Sequence, residues 1–412
     1  MPINLRCVTP ITILLALGGP APADVITDWN EKAVAFVTKQ RMLPPQAERI
    51  VASVHVAMFD AVNSIEHRYK PYRFAVTTTN DTSKEAAAAA AAGAVLVGLL
   101  PNEKEEVSAL LQAYLATLPP TVGTANATKV GQEAASKILA ERTRDGADAP
   151  DAYRPKTKPG VYVPTPITAS SMWPNVKPFA MTSPTQFRPQ PPIPLTGDAW
   201  AADYNEIKSV GGKNSAKRTP RQTEDAHFWL ITGPASYYPI VRQLVTARKM
   251  DVVDSARFMA LVSVAAADAY IAVFDAKYHY DFWRPITAIR NGDIDDNPST
   301  QVDATWQPID NTPMHPEYPC AHCITSAAVA AVIEATLGSA DIPEVTMTSS
   351  TVPGATHRWT NVWAYADEVA MARIYAGFHY RFSTRVGQDM GRKIGELVVQ
   401  SQLQKTDVAD RR

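Results

Sequence analysis

The chain has 412 residues, of which 46% are hydrophobic and 20% charged, so it is long enough to bury the core of one large domain or two. Its 40 basic and 41 acidic residues give a formal net charge of −1, which provides no overall field that attracts nucleic acid or an anionic membrane. We therefore expect no nucleic-acid partner, and any anion binding must be local.

The first 23 residues resemble a cleavable secretory signal. Arg6 is followed by a short apolar stretch, a Gly-Gly-Pro break and an Ala-Pro-Ala sequence that ends at Ala23. A buried N-terminal helix is the alternative, but the break and the short apolar length favour export, so we expect a secreted or periplasmic protein. The apolar run from Ala86 to Leu100 is also too short to cross a membrane, and no transmembrane span is expected.

Apolar residues recur at three- and four-residue spacing along the chain, which predicts an all-α protein built from helical bundles. The predicted helices span residues 47–65, 84–100, 105–118, 130–142, 257–275, 324–337, 363–376 and 387–402. Strand patterns are nearly absent. We divide the mature chain into an N-terminal helical region (24–149), a proline-rich irregular connection (150–220) and a C-terminal bundle (221–412) that carries the candidate site.

Two of the predicted helices share a pattern. Residues 49–61 and 257–269 match, with an arginine and an aspartate at the same separation in both. Ala-rich helices also resemble one another by chance, so coincidence and a true internal repeat both remain open. A true repeat predicts two bundles packed side by side, the first structural and the second carrying the site.

The first chemically notable stretch contains Lys277 and Arg284. Seven residues separate them, which on one helix places both cations on the same face, and Pro285 is expected to end that helix. A planar guanidinium can donate hydrogen bonds to two oxygens of an oxyanion, and a lysine adds a point charge. A solvated helix face is the common alternative, although the intervening residues are unusually aromatic for an exposed surface.

In the second stretch, from His315 to Val332, prolines give way to an Ala-rich helix. His322 falls near the N-terminus of that helix, where free backbone N–H groups and the helix dipole favour a bound anion. Its imidazole, with an ordinary pKa of about 6.5, is suited to proton transfer. A capping or core histidine is the alternative.

The third stretch places Arg373 and His379 six residues apart, with Gly377 between them. This spacing does not share a face on a straight helix, so we expect the helix to end near Gly377 and the chain to turn until His379 points back toward Arg373. A neutral imidazole nitrogen is a good nucleophile or ligand. We predict that the three stretches converge into one site for a phosphate- or vanadate-like oxyanion.

The patterns Lys277-x6-Arg284-Pro285, Pro319-Cys-Ala-His322 and Arg373-x5-His379 resemble, in order and spacing, the three motifs of the vanadium-dependent haloperoxidase and type 2 phosphatidic acid phosphatase superfamily. The residues that flank Arg373 and His379 are similar to the soluble bacterial haloperoxidase branch.

The resemblance implies that Lys277, Arg284 and Arg373 bind the oxygens of a vanadate cofactor, that His379 bonds the vanadium, and that His322 acts as general acid and base. Hydrogen peroxide would then oxidise a halide, and the product would halogenate a small organic substrate. With a phosphate ester as substrate and no cofactor, His379 would instead be the nucleophile of an acid phosphatase.

The sequence also departs from the family pattern. Cys320 and Ala321 stand where the family has serine and glycine, and a thiol is a poorer hydrogen-bond donor than a hydroxyl. Both still belong to the candidate cofactor-binding set, because Ala321 retains its N–H if no positive φ is required. The aspartate that the family places beyond the third histidine is missing, with Ser383 nearby. A non-catalytic oxyanion-binding protein is therefore an alternative.

Two further residues are candidates for a supporting layer around the site. His315 lies where the family varies between an aromatic residue and a histidine, a variation associated with halide handling. Phe274, one helical turn before Lys277, lines either the substrate side or the core. The sequence leaves the oligomeric state open, with a homo-oligomer among the alternatives.

Cys320 and Cys323 are the cysteines that remain once a signal is removed, and they form a C-x-x-C pattern. A dithiol redox centre lacks its usual strand-rich context, and haem attachment is excluded because His322 lies inside the cysteine pair. A zinc site that adds His315 would crowd several ligands onto one helical turn. A disulfide remains open in an oxidising compartment.

Overall fold

Helices make up most of the computed structural model, which describes residues 24–164 and 167–406. The predicted signal, residues 1–23, lies outside the described residues. The helices are α1 (Val25–Lys39), α2 (Pro44–Glu66), α3 (Lys84–Leu99), α4 (Lys104–Leu115), α5 (Val122–Arg142), α6 (Asp198–Val210), α7 (Pro220–Phe228), α8 (Tyr238–Ala247), α9 (Val252–Tyr280), α10 (Pro285–Arg290), α11 (Ala321–Leu337), α12 (Val362–Tyr375) and α13 (Arg381–Ser401). This confirms the all-α class.

The predicted helices are present, but α5, α9 and α13 begin five to eight residues earlier than predicted, and the structure adds elements that the sequence did not indicate. Helices α1, α7 and α8 were not predicted. Helix α6 lies inside the predicted connection 150–220, which is therefore interrupted by a helix, and the chain is irregular again between Gly211 and Thr219. A two-stranded antiparallel hairpin, β1 (Asp341–Ser349) and β2 (Val352–Asn361), follows α11 and packs on α8 and α12. Its strands alternate only partly between buried and exposed residues, which explains why periodicity did not reveal them.

Helix α9 is the central element of the fold. It packs against α1, α2, α11 and α13, and its residues are small and apolar enough to be buried on every side. The helix is also long and apolar enough to cross a membrane, but its most apolar window is entirely buried inside the protein. It behaves as a core helix that carries Lys277 in its last turn.

The helices pack in two groups, called the first and second bundle below, which are joined by contacts between α2 and α9. Helices α2, α3 and α5 pack together, as do α9, α11 and α13. In both bundles a glycine lets two helices approach closely: a Cβ at Gly131 would lie 2.4 Å from the Ala87 carbonyl oxygen, and one at Gly391 would lie 2.1 Å from that of Ile324. The Ala-rich helices α3 and α11 are therefore packed in the same manner.

The matched aspartates of the repeat also make the same kind of hydrogen-bonded contact. Asp60 on α2 accepts hydrogen bonds from three consecutive backbone N–H groups, those of residues 72–74. Asp268 on α9 accepts three from residues 179–181, at 2.7 to 2.8 Å. Each carboxylate therefore fixes an irregular segment to the middle of its helix, which favours a true repeat over coincidence.

Candidate oxyanion site

The structure brings the three stretches together at one end of the second bundle. Lys277 lies in the last turn of α9, Arg284 precedes α10, His322 lies in the first turn of α11, Arg373 lies in the last turn of α12, and His379 follows in the loop before α13. Burial lowers the pKa of His379, and the positive charges of Arg284, Lys277 and Arg373 lower it further, in that order. The five groups therefore share one electrostatic environment.

Lys277 and Arg284 do not lie on one helix, contrary to the prediction. Helix α9 ends at Tyr280, and Asp281 then adopts a left-handed φ of 54°. Pro285 begins α10 instead of ending α9, and Arg284 in front of it is extended. Both facts follow from proline, which is favoured in the first turn of a helix and pushes the preceding residue out of the helical region. The two cations meet through a turn.

Lys277 is completely buried and holds the chain that leads into the second motif. Its Nζ donates hydrogen bonds to the carbonyl oxygens of Pro316, at 2.9 Å, and Glu317, at 2.7 Å. Burial lowers its pKa well below the ordinary value, and the neighbouring charge of Arg284 acts in the same direction. The ammonium group is therefore a buried charge that an anion would stabilise.

Arg284 joins the second and third motifs. Its Nε donates to the His315 carbonyl oxygen at 2.8 Å, and its Nη1 donates to that of Phe378 at 3.0 Å. Its Nη2 lies 3.0 Å from Nδ1 of His315. Burial lowers the pKa of Arg284 to about 10. Since a guanidinium carries five N–H donors, this arrangement fixes its plane and leaves donors for a ligand.

His379 is oriented by a carboxylate that the sequence reading missed. Its Nδ1 lies 2.7 Å from Oε1 of Glu317, which also accepts the Tyr380 N–H at 3.1 Å. Burial raises the pKa of Glu317 to about 7, while the charges of Lys277 and Arg284 act to lower it. Because the carboxylate oxygen accepts, Nδ1 carries the proton, and Nε2 keeps its lone pair. That Nε2 lies 3.4 Å from Nη1 of Arg284.

Glu317 therefore orients His379, a role that no residue of the third motif fills because its aspartate is absent. It comes from the second motif, between Pro316 and Tyr318, and is completely buried. The available sequence signal was a lone carboxylate among prolines directly before an apolar helix. Only the tertiary turn that brings it to His379 reveals its role.

The turn that the third stretch predicts is present. Helix α12 ends at Tyr375, and Gly377 adopts a left-handed φ of 77°. The N–H groups of Phe378 and His379 then bond to the Arg373 carbonyl oxygen, at 3.1 and 3.4 Å. Gly377 is required here, since a Cβ would also lie 2.5 Å from the Gly211 carbonyl oxygen.

The second motif begins α11 in the predicted place. Cys320 caps the helix through its Sγ, which accepts the Cys323 N–H at 3.2 Å and is joined to Cys323 in a disulfide. Cys320 therefore has no S–H to donate to an anion, and neither sulfur is a thiolate for zinc. Ala321 is helical, so no positive φ is demanded. The N–H groups of Ala321 and His322 have no acceptor among residues 24–164 and 167–406.

His322 is half-buried in the first turn of α11, and its ring is held by one backbone contact. Its Nε2 lies 3.1 Å from the Ile231 carbonyl oxygen. A carbonyl only accepts, so Nε2 carries the proton and Nδ1 is the basic nitrogen in this arrangement. Burial and then the charge of Arg373 lower its pKa, which keeps the imidazole neutral.

The Arg373 side chain makes one hydrogen bond in the part of the chain that the structure describes and lies over the Phe378 ring, 4.9 Å from its centroid. Its Nη1 donates to the Trp229 carbonyl oxygen at 2.6 Å, whereas its buried Nε has no hydrogen-bond partner among the described residues. The Trp229 indole N–H is fixed in turn by Glu368 at 3.0 Å, and Glu368 lies 2.6 Å from Nδ1 of His357. Burial and the charge of Arg284 lower the pKa of Arg373 to about 9.

Asp225, His357 and Glu368 lie close enough together to hold a cation, but their ligand atoms are already engaged. Asp225 pairs with Arg221 at 2.8 Å, and Glu368 accepts from His357 and two tryptophans. This cluster supports Arg373 through Trp229 and was not predicted from the sequence.

The donor set of the site fits a tetrahedral oxyanion such as vanadate or phosphate. Three buried cations face a single buried carboxylate, Glu317, so the site holds an excess of positive charge. Unused donors are present at Nε of Arg373 and at the N–H groups of Ala321 and His322. A buried, uncompensated positive charge is costly, and a bound anion removes that cost.

The two candidates for a supporting layer lie beside each other. The rings of His315 and Phe274 meet edge to face with centroids 5.2 Å apart. Nδ1 of His315 lies 3.0 Å from Nη2 of Arg284 and 3.1 Å from the Pro316 carbonyl oxygen, so the ring is positioned beside a cation of the site.

The known proteins that are similar to this chain include vanadium-dependent haloperoxidases. A family model of the second helical-bundle domain of VCPO matches residues 257–407. A vanadium chloroperoxidase from Curvularia inaequalis is 31% identical over 38% of this chain, and the match spans 30% of the length of that relative. The crystal structure described as the first bacterial vanadium-dependent iodoperoxidase has a TM-score of 0.80 at 24% identity and covers 95% of this chain and 99% of that one. A holo-type bacterial vanadium-dependent chloroperoxidase has a TM-score of 0.68 at 16% identity and covers 87% and 92%.

The helical fold and its cationic site thus define a protein with the architecture of the vanadium haloperoxidases. The matched family domain over residues 257–407 and the curated relative, together with this fold, support the resemblance to the vanadium-dependent haloperoxidase and type 2 phosphatidic acid phosphatase superfamily that the three motifs predict.

Proposed function

We propose that this protein is a vanadate-dependent haloperoxidase that oxidises a halide with hydrogen peroxide. The observation that carries the proposal is the pairing of His379 with Glu317 inside an excess of buried positive charge. The pairing leaves a neutral imidazole whose Nε2 keeps its lone pair beside Arg284, which is the form that bonds a metal centre. The surrounding cations supply the charge that a vanadate requires.

Lys277, Arg284 and Arg373 would hold the oxygens of vanadate, together with the N–H groups at the start of α11, and His379 would bond the vanadium through Nε2. When bound, vanadate would supply the chemistry by which hydrogen peroxide oxidises the halide. Conversion of one halide ion and one peroxide into hypohalous acid and water takes up one proton. His322 is the group placed to relay that proton, because burial and the charge of Arg373 lower its pKa, so that a proton accepted at Nδ1 is readily released.

The same residues also suit a phosphate ester, for which His379 would be the nucleophile. The relatives named above favour halide oxidation. We further propose that the protein is exported, which accords with the disulfide between Cys320 and Cys323.

The test is halogenation of a phenolic dye in the presence of vanadate, peroxide and chloride, bromide or iodide in turn, beside hydrolysis of p-nitrophenyl phosphate. We expect vanadate-dependent halogenation that falls at least about 100-fold in His379→Ala, because the bond to the vanadium is lost. His279→Ala is the matched control, since His279 is exposed on α9 close to Lys277.

Hydrolysis that vanadate inhibits, with no halogenation, would replace the proposal with a phosphatase. Vanadate binding without either reaction would indicate an oxyanion-binding protein.

A further inference from the structure

A cleft of about 1070 Å³ opens beside Arg284, between the start of α10, the segment 307–314, Lys213 and residues 162–163. Its volume is slightly above the range of about 300 to 1,000 Å³ that is typical of small-molecule sites. Arg284 is 1% exposed, so its guanidinium lies at the base of the cleft and connects it to the oxyanion site.

The walls of the cleft combine apolar surface with unpaired charge. Val163 and Met314 are 59% and 43% exposed, which is high for large apolar residues, and Ile286 and Ile309 add further apolar surface. Such exposure is costly unless a ligand or partner covers it.

The polar groups of the cleft favour a negatively charged ligand. Lys213 and Arg290 line it and form no ion pair with a carboxylate in the part of the chain that the structure describes. Asp310 is the opposing carboxylate, and it accepts the N–H of Asn311 at 2.6 Å. The buried hydroxyl of Thr312 has no hydrogen-bond partner among the described residues. With Arg284, three cations face one carboxylate.

We propose that this cleft binds the organic substrate, and that the substrate is a small aromatic acid, with its ring against the apolar wall and its carboxylate near Lys213 and Arg290. Use of the cleft in turnover rests on the proposed halogenation, whereas the binding itself does not. A hydroxylated ring is electron-rich and reacts with hypohalous acid by exchanging one ring hydrogen for halogen, with release of water. The position beside Arg284 places such a ring next to the site where the halide is oxidised.

The binding test uses vanadate-free protein without peroxide or halide, so that its result is independent of the proposed activity. Calorimetry or ligand-detected NMR compares 4-hydroxybenzoate with the neutral 4-hydroxybenzamide. We expect the acid to bind more tightly, and Lys213→Ala and Arg290→Met each to weaken it by about two- to fivefold without changing the amide. Lys217→Ala is the matched control, because Lys217 is exposed on the same loop and does not line the cleft.

Equal affinity for acid and amide, equal loss in the control variant, or no binding of either compound at millimolar concentration would overturn the proposal. Arg290 also donates to the Trp306 carbonyl oxygen at 2.8 Å, so the amide reports whether the cleft stays intact in Arg290→Met. In turnover assays, Lys213→Ala is expected to raise KM for the acid and to leave kcat unchanged. Binding as expected with no halogenation would count against the proposed function alone.

Discussion

The two bundles of this protein share one helical arrangement but differ in how their buried charges are balanced. In the first bundle, the buried carboxylate of Glu48 accepts hydrogen bonds from the hydroxyls of Tyr237 and Tyr238, and burial raises its pKa to about 8. In the second bundle, Lys277, Arg284 and Arg373 are buried with one carboxylate between them. The first bundle is built for stability, and the second retains a charge imbalance that a ligand can remove.

A difference in helix length accounts for part of this contrast. Helix α2 ends six residues after Asp60, whereas α9 continues for twelve residues after the matched Asp268. The additional turns of α9 carry Lys277 to the start of α11. The first bundle has Ser83 at the start of the corresponding helix α3, where its side chain accepts the Ala86 N–H. The site therefore lies beyond the part of α9 that matches α2.

The strongest way to test the contrast is to exchange a buried arginine in each bundle for methionine. Arg373→Met should weaken sulfate or vanadate binding by about 2–3 kcal/mol, since a charged hydrogen bond to the anion is lost. It should change the free energy of unfolding by less than about 1 kcal/mol, because the lost bond to Trp229 is offset by removal of an unpaired buried charge.

Arg142→Met in the first bundle should do the reverse. Arg142 lies over the Phe179 ring at 3.6 Å, donates to the Lys177 carbonyl oxygen and lies 3.8 Å from Asp145. Its loss should cost about 2–4 kcal/mol of stability and leave anion affinity unchanged. Calorimetric titration and urea unfolding measure both quantities, and equal effects in the two variants would contradict the contrast.

The next comparison tests the repeat itself. Asp60→Asn and Asp268→Asn should each destabilise the protein by about 2–3 kcal/mol, because an amide cannot accept three backbone N–H groups as a carboxylate does. Burial raises the pKa of Asp60 to about 7, so unfolding should be measured at pH 8, where it is ionised. A large cost at one position and none at the other would show that the match is only one of sequence.

The pH dependence of anion binding provides a smaller effect with a defined sign. The pKa of Lys277 is lowered in the empty site, and a bound anion raises it, so binding takes up a proton. Affinity for sulfate, whose charge is constant in this range, should therefore fall as pH rises, and Lys277 should contribute at most about tenfold per pH unit to this fall. Lys277→Met should flatten this slope.

Without a bound anion, the free energy of unfolding should change with pH in the opposite direction to the anion affinity. The unfolded chain binds more protons at Lys277 than the native state does, so the free energy of unfolding should rise with pH from the lowered pKa toward 10.5. A fall in stability over this range, absent in Lys277→Met, would contradict the assignment of Lys277 as a buried, uncompensated cation.

The smallest expected effect concerns the start of α11. Cys320→Ser combined with Cys323→Ala replaces the disulfide with a hydroxyl that both caps the helix and donates to an anion. Sulfate affinity should rise by about two- to fivefold. An affinity that falls instead would show that the disulfide itself shapes the binding site.

The sequence predicted most of the helical framework because that framework depends on local periodicity, as in 84–100 and 324–337. It also predicted the turn at Gly377, since only glycine readily adopts that backbone conformation. It failed where a result depends on tertiary contacts. The single helix expected across Lys277 and Arg284 is broken at Asp281, and the carboxylate of Glu317 reaches His379 through a turn that spacing does not show.

The central claim is that the three stretches form one oxyanion site, and a crystal structure of the protein soaked with orthovanadate tests it most directly. We expect vanadium bonded to Nε2 of His379, with its oxygens within hydrogen-bond distance of Lys277, Arg284 and Arg373. Vanadate bound elsewhere, or a site that stays without an anion at saturating vanadate, would contradict the claim.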